Sequence, residues 1–231
     1  MPEGKHIVIT GTTRGLGRAL AKELARLGHR VSGCGRSEEA VAKINGEGSG
    51  REHHSAVDVT SEADVVEWAE ERTAAEGPPD FLVNNAGLIN RHARLWEVPP
   101  EEFKRIWEVN VFGVFNVCRA FLPRMVARKK GVVVNVSTGA GVKGFPEIGP
   151  YCTTKHAVEG LTRSLAEELP AGMAAIPFQP GVVRTEMLRS HYGARAEEFP
   201  EPETWAKTAA PFLLNLSAKE SGRSIRLPQA R

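Results

Sequence analysis

No run of apolar residues in this sequence reaches the roughly 18 to 20 that a membrane-spanning helix needs, so nothing in it reads as a transmembrane segment. Its opening, MPEGKHIVIT, lacks a basic stretch followed by a long apolar one, and no targeting signal is visible. Cysteine is scarce: Cys34, Cys118 and Cys152 are odd in number and form no CxxC pair. That argues against a disulfide framework or a zinc site and for reduced thiols, with the cytoplasm as the expected location. Strong charge is missing too, with 30 Lys and Arg against 28 Asp and Glu for a net of +2, too mild for a nucleic-acid surface. The one dense basic run, Arg128-Lys129-Lys130, reads as a solvated helix end that complements the dipole. No Pro/Gly/Ser-rich linker and no repeat divides the chain, so residues 1–231 are expected to form a single domain.

What is present is alternation. Short apolar runs at 6–10, 30–35, 54–59, 81–85, 131–137, 174–180 and in the closing SIRLP are separated by helical patterns at 15–27, 38–44, 62–75, 101–128, 151–169 and about 203–216. Strands apolar on both faces, separated by helices, predict an α/β Rossmann fold: a doubly wound, mostly parallel, seven-stranded sheet with helices on both faces. Only 186–204 lacks periodicity, which marks it as a candidate substrate lid loop.

Directly behind the first strand stands TGTTRGLG, residues 10–17. Gly11, Gly15 and Gly17 fall where a phosphate-binding turn needs an unusual backbone angle, close approach to a pyrophosphate and close packing of helix on strand. About twenty residues further on, where a carboxylate would take the ribose 2′-hydroxyl of NAD, the chain reads Gly35-Arg36-Ser37. Arg36, with Arg14 from the glycine turn, would instead clamp a 2′-phosphate, which favours NADP(H).

Tyr151 and Lys155 are four apart in YCTTK and share one face if that segment is helical. A lysine ammonium about 4 Å from the phenol would favour the phenolate by about 4 kcal/mol at an effective dielectric near 20. Such a pairing would bring the tyrosine from near pH 10 towards the range where a general acid/base works best. His53 and His54 are adjacent, so in a strand they point to opposite faces and cannot easily share a metal; no metal site is expected. Cys152 has no evident partner base and reads as a packed thiol.

Taken in order, TGTTRGLG, DVT at 58–60, NNAG at 84–87, Asn110, Ser137, YCTTK and PGVVRT at 180–185 resemble the short-chain dehydrogenase/reductase family over essentially the whole length. The resemblance implies that Tyr151 exchanges a proton with the substrate oxygen. It implies that Lys155 lowers the tyrosine pKa and holds the nicotinamide ribose, and that Ser137 polarises the carbonyl. Asn110 would interrupt its helix and hold a relay water. By the same resemblance, Thr13 and Leu16 would join the glycine turn against the cofactor, Ser37 would join Arg36, and Asp58 and Val59 would sit against adenine. Asn85, Ala86 and Gly87 would pack under the adenosine ribose, and Pro180, Gly181, Val183 and Thr185 would contact the nicotinamide half.

The implied reaction is hydride transfer between nicotinamide and a carbonyl or secondary alcohol, with reduction the favoured direction. The alternative is a cofactor sensor or scaffold without turnover, against which the intact Asn110, Ser137, Tyr151 and Lys155 set argues. An epimerase of the extended branch would need more chain than follows Pro180. The lid is shorter and more charged than one built for steroids, and its Arg184, Arg189 and Arg195 read as solvated side chains rather than an acidic-substrate site. By the same resemblance, helices 101–128 and 151–169 would join subunits into a homodimer or homotetramer.

Overall fold

The computed structural model describes residues 4–48 and 50–228. Among them, seven strands form one fully parallel sheet: β1 (His6–Thr10), β2 (Arg30–Gly35), β3 (Glu52–Ala56), β4 (Phe81–Asn84), β5 (Gly131–Val136), β6 (Met173–Gln179) and β7 (Ile225–Arg226), in the order β3-β2-β1-β4-β5-β6-β7. Strand order reverses between β1 and β4, which opens a crevice beyond the carboxyl ends of these two strands.

Alternate residues of each strand feed two cores. Ile7, Ile9, Val83, Val134 and Ile176 pack on one face against α1 (Gly15–Arg26) and α8 (Pro202–Leu214). Val8, Leu82, Val133 and Ala175 pack on the other against α3 (Glu62–Glu76), α5 (Gly113–Arg128) and α6 (Gly149–Glu168). There Trp68 and Phe121 meet edge to face with ring centroids 5.2 Å apart. Each such fully buried side chain contributes about 1.5–3 kcal/mol by leaving water, which is why both strand faces had to be apolar. The remaining helices are α2 (Glu38–Glu47), α4 (Pro100–Trp107) and α7 (Glu186–Tyr192).

Three elements depart from the sequence reading. The helix expected over 101–128 is broken by a π turn at Glu108–Phe112, centred on Asn110, as the family resemblance implied. Strand β3 ends at Ala56 instead of 59, because Asp58 Oδ1 accepts from the backbone N–H and the hydroxyl of Thr60 (2.9 and 2.8 Å) and turns the chain. Segment 186–204, expected as an irregular loop, folds as α7, a 3₁₀ helix at Gly193–Glu198 and the start of α8. The Thr185 hydroxyl caps α7 by accepting from Leu188 N–H, a start signal that the mixed composition hid. Its arginines are tied to glutamates of the same segment: Arg184 to Glu197 and Glu201, Arg189 to Glu197, Arg195 to Glu198.

The three thiols are unpaired and buried in separate elements, Cys34 in β2, Cys118 in α5 and Cys152 in α6. Burial pushes Cys34 and Cys118 up to about 12. Of the two adjacent histidines, His53 is exposed and His54 is buried, with His54 Nδ1 bonded to Thr12 Oγ1 at 2.7 Å. Behind it, Glu52 pairs with Arg18 of α1 at 2.6 Å, so β3 and α1 brace the glycine turn from below.

Candidate active site

A cleft of about 740 Å³ runs along the carboxyl ends of the strands from the glycine turn to α7, well within the size range of a cofactor-and-substrate site. At one end the backbone is shaped for an anion. Gly11 and Gly15 have φ of +73° and +57°. A Cβ on Gly17 would lie 2.2 Å from the Gly11 carbonyl oxygen, and one on Gly35 would lie 2.4 Å from Thr13 Cγ2, so the absence of side chains there is structural. Helix α2 is capped by Ser37, α3 by Ser61 and α7 by Thr185, but Arg14 gives α1 no side-chain cap. The first N–H groups of α1 are thus left for a phosphate.

The neighbouring turn is locked to this one. Asn85 Nδ2 donates to the carbonyls of Thr10 and Gly11 (2.9 and 3.2 Å), while the N–H groups of Asn85 and Ala86 donate to Thr10 Oγ1 at 3.0 Å each. Asn84 and Asn135 continue the lock between β4 and β5 at 2.8 Å, and Asn135 reaches Thr162 of α6. Most of the sequence-predicted cofactor residues border the cleft: Gly11, Thr13, Arg14, Gly15, Leu16, Arg36, Asp58, Val59, Asn85, Ala86, Gly87, Pro180, Gly181, Val183 and Thr185. Gly17 and Ser37 do not; Gly17 acts by close packing and Ser37 by capping α2. Arg36 is exposed at the rim, and Arg14 pairs across it with Glu186 of α7 at 2.5 Å.

In the middle of the cleft stand Tyr151 and Lys155, one turn apart on α6 and both buried. The Lys155 ammonium donates to the Val136 carbonyl at 2.8 Å and lies 5.7 Å from the centre of the Tyr151 ring. Burial pushes Tyr151 up to about 12, opposed by a hydrogen bond with Thr138, and pushes Lys155 down to about 8. The expectation that lysine would draw the phenol down towards neutrality is not met in the free protein, where desolvation by burial is the largest influence on Tyr151 and raises it.

The serine assignment is corrected as well. Ser137 is fully buried, does not border the cleft, and its Oγ has no hydrogen-bond partner among the described residues. Its N–H donates to Phe178 O at 2.7 Å, so it extends the edge of β5 with its side chain turned inward beside Gly141. Thr138, the next residue, leaves the sheet, borders the cleft and is placed near enough to Tyr151 to lower the pKa of its phenol against burial. Its Oγ1 accepts from Ala140 N–H at 2.9 Å, which leaves the hydroxyl proton to donate. Two hydroxyls in tandem must face opposite ways off a strand end, and that alternation was the available signal for choosing between them.

Asn110 also lies outside the cleft wall. Its Nδ2 donates to Leu88 O and Thr154 Oγ1 (2.9 Å each) and its Oδ1 accepts from Leu88 N–H at 2.7 Å. The side chain thus pins the residues after NNAG to the start of α6, a positioning role.

A glycine cradle at the switch point of a parallel sheet, leading to a buried Tyr, Lys and Thr, defines a dinucleotide-binding oxidoreductase of the doubly wound class. The chain belongs to the short chain dehydrogenase family, whose model matches residues 5–195. It is 44% identical over 96% of its length, and 92% of the relative's, to an NADPH-dependent pterin aldehyde reductase of Arabidopsis thaliana. Its fold is similar to that of a 3-ketoacyl-(acyl-carrier-protein) reductase from Brucella melitensis complexed with NADH (TM-score 0.87, 30% identity, 97% of each chain). ElxO with NADP bound is similar too (TM-score 0.86, 26% identity, 97% of each chain).

Proposed function

We propose that this chain is an NADPH-dependent reductase of aldehydes or ketones, with a flat heteroaromatic aldehyde as the leading substrate class. The observation that carries the proposal is the buried Tyr151, with Thr138 and Lys155, in the middle of a cleft whose other end is an anion cradle. Similarity to the pterin aldehyde reductase supports the substrate class. The missing carboxylate near Arg36, together with Arg14 on the same rim, favours the 2′-phosphate form of the cofactor.

The glycine turn, α1 N-terminus, Asn85–Gly87 turn and 180–185 segment would hold the cofactor, which when bound supplies the hydride. Lys155, positively charged below about pH 8, is placed to hold the nicotinamide ribose hydroxyls. The Thr138 hydroxyl orients the substrate oxygen. As negative charge develops on that oxygen, Tyr151 gives it a proton; a phenol held protonated by burial suits this direction, whereas alcohol oxidation needs the phenolate. Helix α7 closes the substrate end as the lid. Nothing in the site favours a binding-only role, since the residues that such a role would dispense with are present and assembled.

Among the described residues no helix is long and apolar enough to cross a membrane, and a cytoplasmic location remains part of the proposal. So does a homodimer or homotetramer through α5 and α6. Its support is the exposure of Phe112 and Phe115 beside that face, and a monomer mass by light scattering would refute it. The function is tested by following oxidation of NADPH and NADH with a panel of aldehydes and ketones, alongside Tyr151→Phe. Turnover by the native protein and at least a hundredfold loss in the variant, with NADPH affinity retained, is the expected result. Substantial turnover by the variant would remove Tyr151 from the mechanism.

A further inference from the structure

Three titratable side chains from separate parts of the chain meet at the substrate end of the cleft. Glu147 precedes α6, His92 follows the NNAG turn, and His191 lies on α7 and borders the cleft. Glu147 Oε2 is 3.1 Å from His92 Nδ1, His92 Nε2 bonds His191 Nδ1, and the two imidazole centres are 4.2 Å apart. The arrangement is held by backbone. Glu147 adopts φ +65°, in the left-handed region, and its carbonyl accepts from Ala93 N–H (3.2 Å) and from the Asn90 amide (2.9 Å). Asn90 is buried and its Oδ1 accepts from Tyr151 N–H at 3.4 Å, so the same loop is joined to the helix that carries the reacting phenol.

The order of partners settles the tautomers. An ionised carboxylate only accepts, so His92 carries its proton on Nδ1 and is bare at Nε2 when neutral. His191 must then donate from Nδ1, which leaves its Nε2 as a bare acceptor. Burial, and next the neighbouring His92, hold His191 below its ordinary value against the pull of Glu147, which keeps that ring neutral at physiological pH. The cleft wall includes Ile89, Phe145, Ile148, Leu188 and Tyr192, the last with its ring centre 4.7 Å from that of His191. A flat apolar wall with a fixed acceptor suits a planar ring that carries N–H donors away from its carbonyl.

We propose that His191 is a specificity-determining residue, held by Glu147 and His92 as an Nε2 acceptor for an N–H donor on the distal edge of a heteroaromatic aldehyde. The inference rests on the reductase reading above and adds the group that recognises the substrate. A contact made equally in ground and transition states moves KM rather than kcat. One hydrogen bond at a half-buried rim corresponds to about a tenfold change.

The test compares a pterin aldehyde, rich in N–H donors, with 2-naphthaldehyde, equally flat and without them, in the native protein and in His191→Phe and Glu147→Lys. A lysine at 147 can only donate, which inverts both tautomers and presents Nε2–H to the cleft. Both variants should lower the pterin-to-naphthaldehyde ratio of kcat/KM about tenfold, mainly through KM. The ¹⁵N shift of His191 Nε2 should change from a bare to a protonated nitrogen in Glu147→Lys. If the native protein reduces neither aldehyde, the reductase reading fails and this inference with it. If it reduces both but the ratio is unmoved in His191→Phe, or it reduces only the donor-free aldehyde, the role of His191 alone is overturned. An unchanged His191 shift in Glu147→Lys would overturn the relay.

Discussion

Thr138 and Ser137 differ by a methyl group and one step along the chain, yet only one of them borders the cleft. Thr138→Val keeps the shape and removes the donor, so kcat should fall by about 10²–10³. Ser137→Ala deletes a hydroxyl with no partner among the described residues and should leave kcat within a few-fold. Steady-state kinetics on the two variants separates them, and the reverse ranking would restore Ser137 to the site. Lys155 carries a second expectation at this scale. Burial lowers it to about 8 while raising Tyr151 to about 12, so the lysine proton is lost first as pH rises. The kcat/KM profile for reduction should therefore be level below about pH 8 and fall with a one-proton slope above it, since kcat/KM reports the free enzyme. A level profile to pH 10 would show that the charge on Lys155 is not required. Spacing placed Tyr151 and Lys155 on one helix face, and the ordered family motifs made their roles legible. Their ionisation was not legible, because it depends on how much water the fold removes and on a carbonyl of β5 that no local pattern reveals.

Secondary-structure elements carry the cofactor end. Gly17 does not border the cleft, but an added Cβ would meet the Gly11 carbonyl and the Asn85 amide, the contacts that lock the two turns together. Gly17→Ala should cost about 1–3 kcal/mol of stability and lower Tm by a few degrees per kcal/mol. It should also weaken NADPH binding, and calorimetry with and without cofactor measures both. A variant with native Tm and affinity would show that the packing there is loose. Strand and helix positions were readable because two-sided burial leaves runs such as HIVIT and GVVVN unmistakable. The π turn at Asn110 was legible only through family resemblance, since its cause is a set of hydrogen bonds to Leu88 and Thr154, remote in sequence. Helix α7 was missed because its alternation of Glu, Arg, Ser and His hides a seven-residue helix stabilised by its Thr185 cap and by what it covers.

For the molecule as a whole, the sheet order decides where function can sit: at the reversal between β1 and β4, with the rim arginines above it. Arg36→Asp should weaken NADPH at least tenfold more than NADH, because a carboxylate repels the 2′-phosphate and suits the 2′-hydroxyl. Fluorescence titration with both cofactors checks it, and equal losses would show that Arg36 does not read that phosphate. The buried thiols give the fold an internal clock. Cys34 lies in β2 beneath the glycine turn, Cys118 in α5 within the same core layer, and Cys152 beside Tyr151. Thiolate is the reactive form, and burial suppresses it in Cys34 and Cys118, so an alkylating reagent reaches either only when its layer opens. Labelling rates at the three positions, followed by mass spectrometry, thus measure how often the packing around each thiol opens. A cofactor that binds at the switch point will slow the clock at Cys34 first.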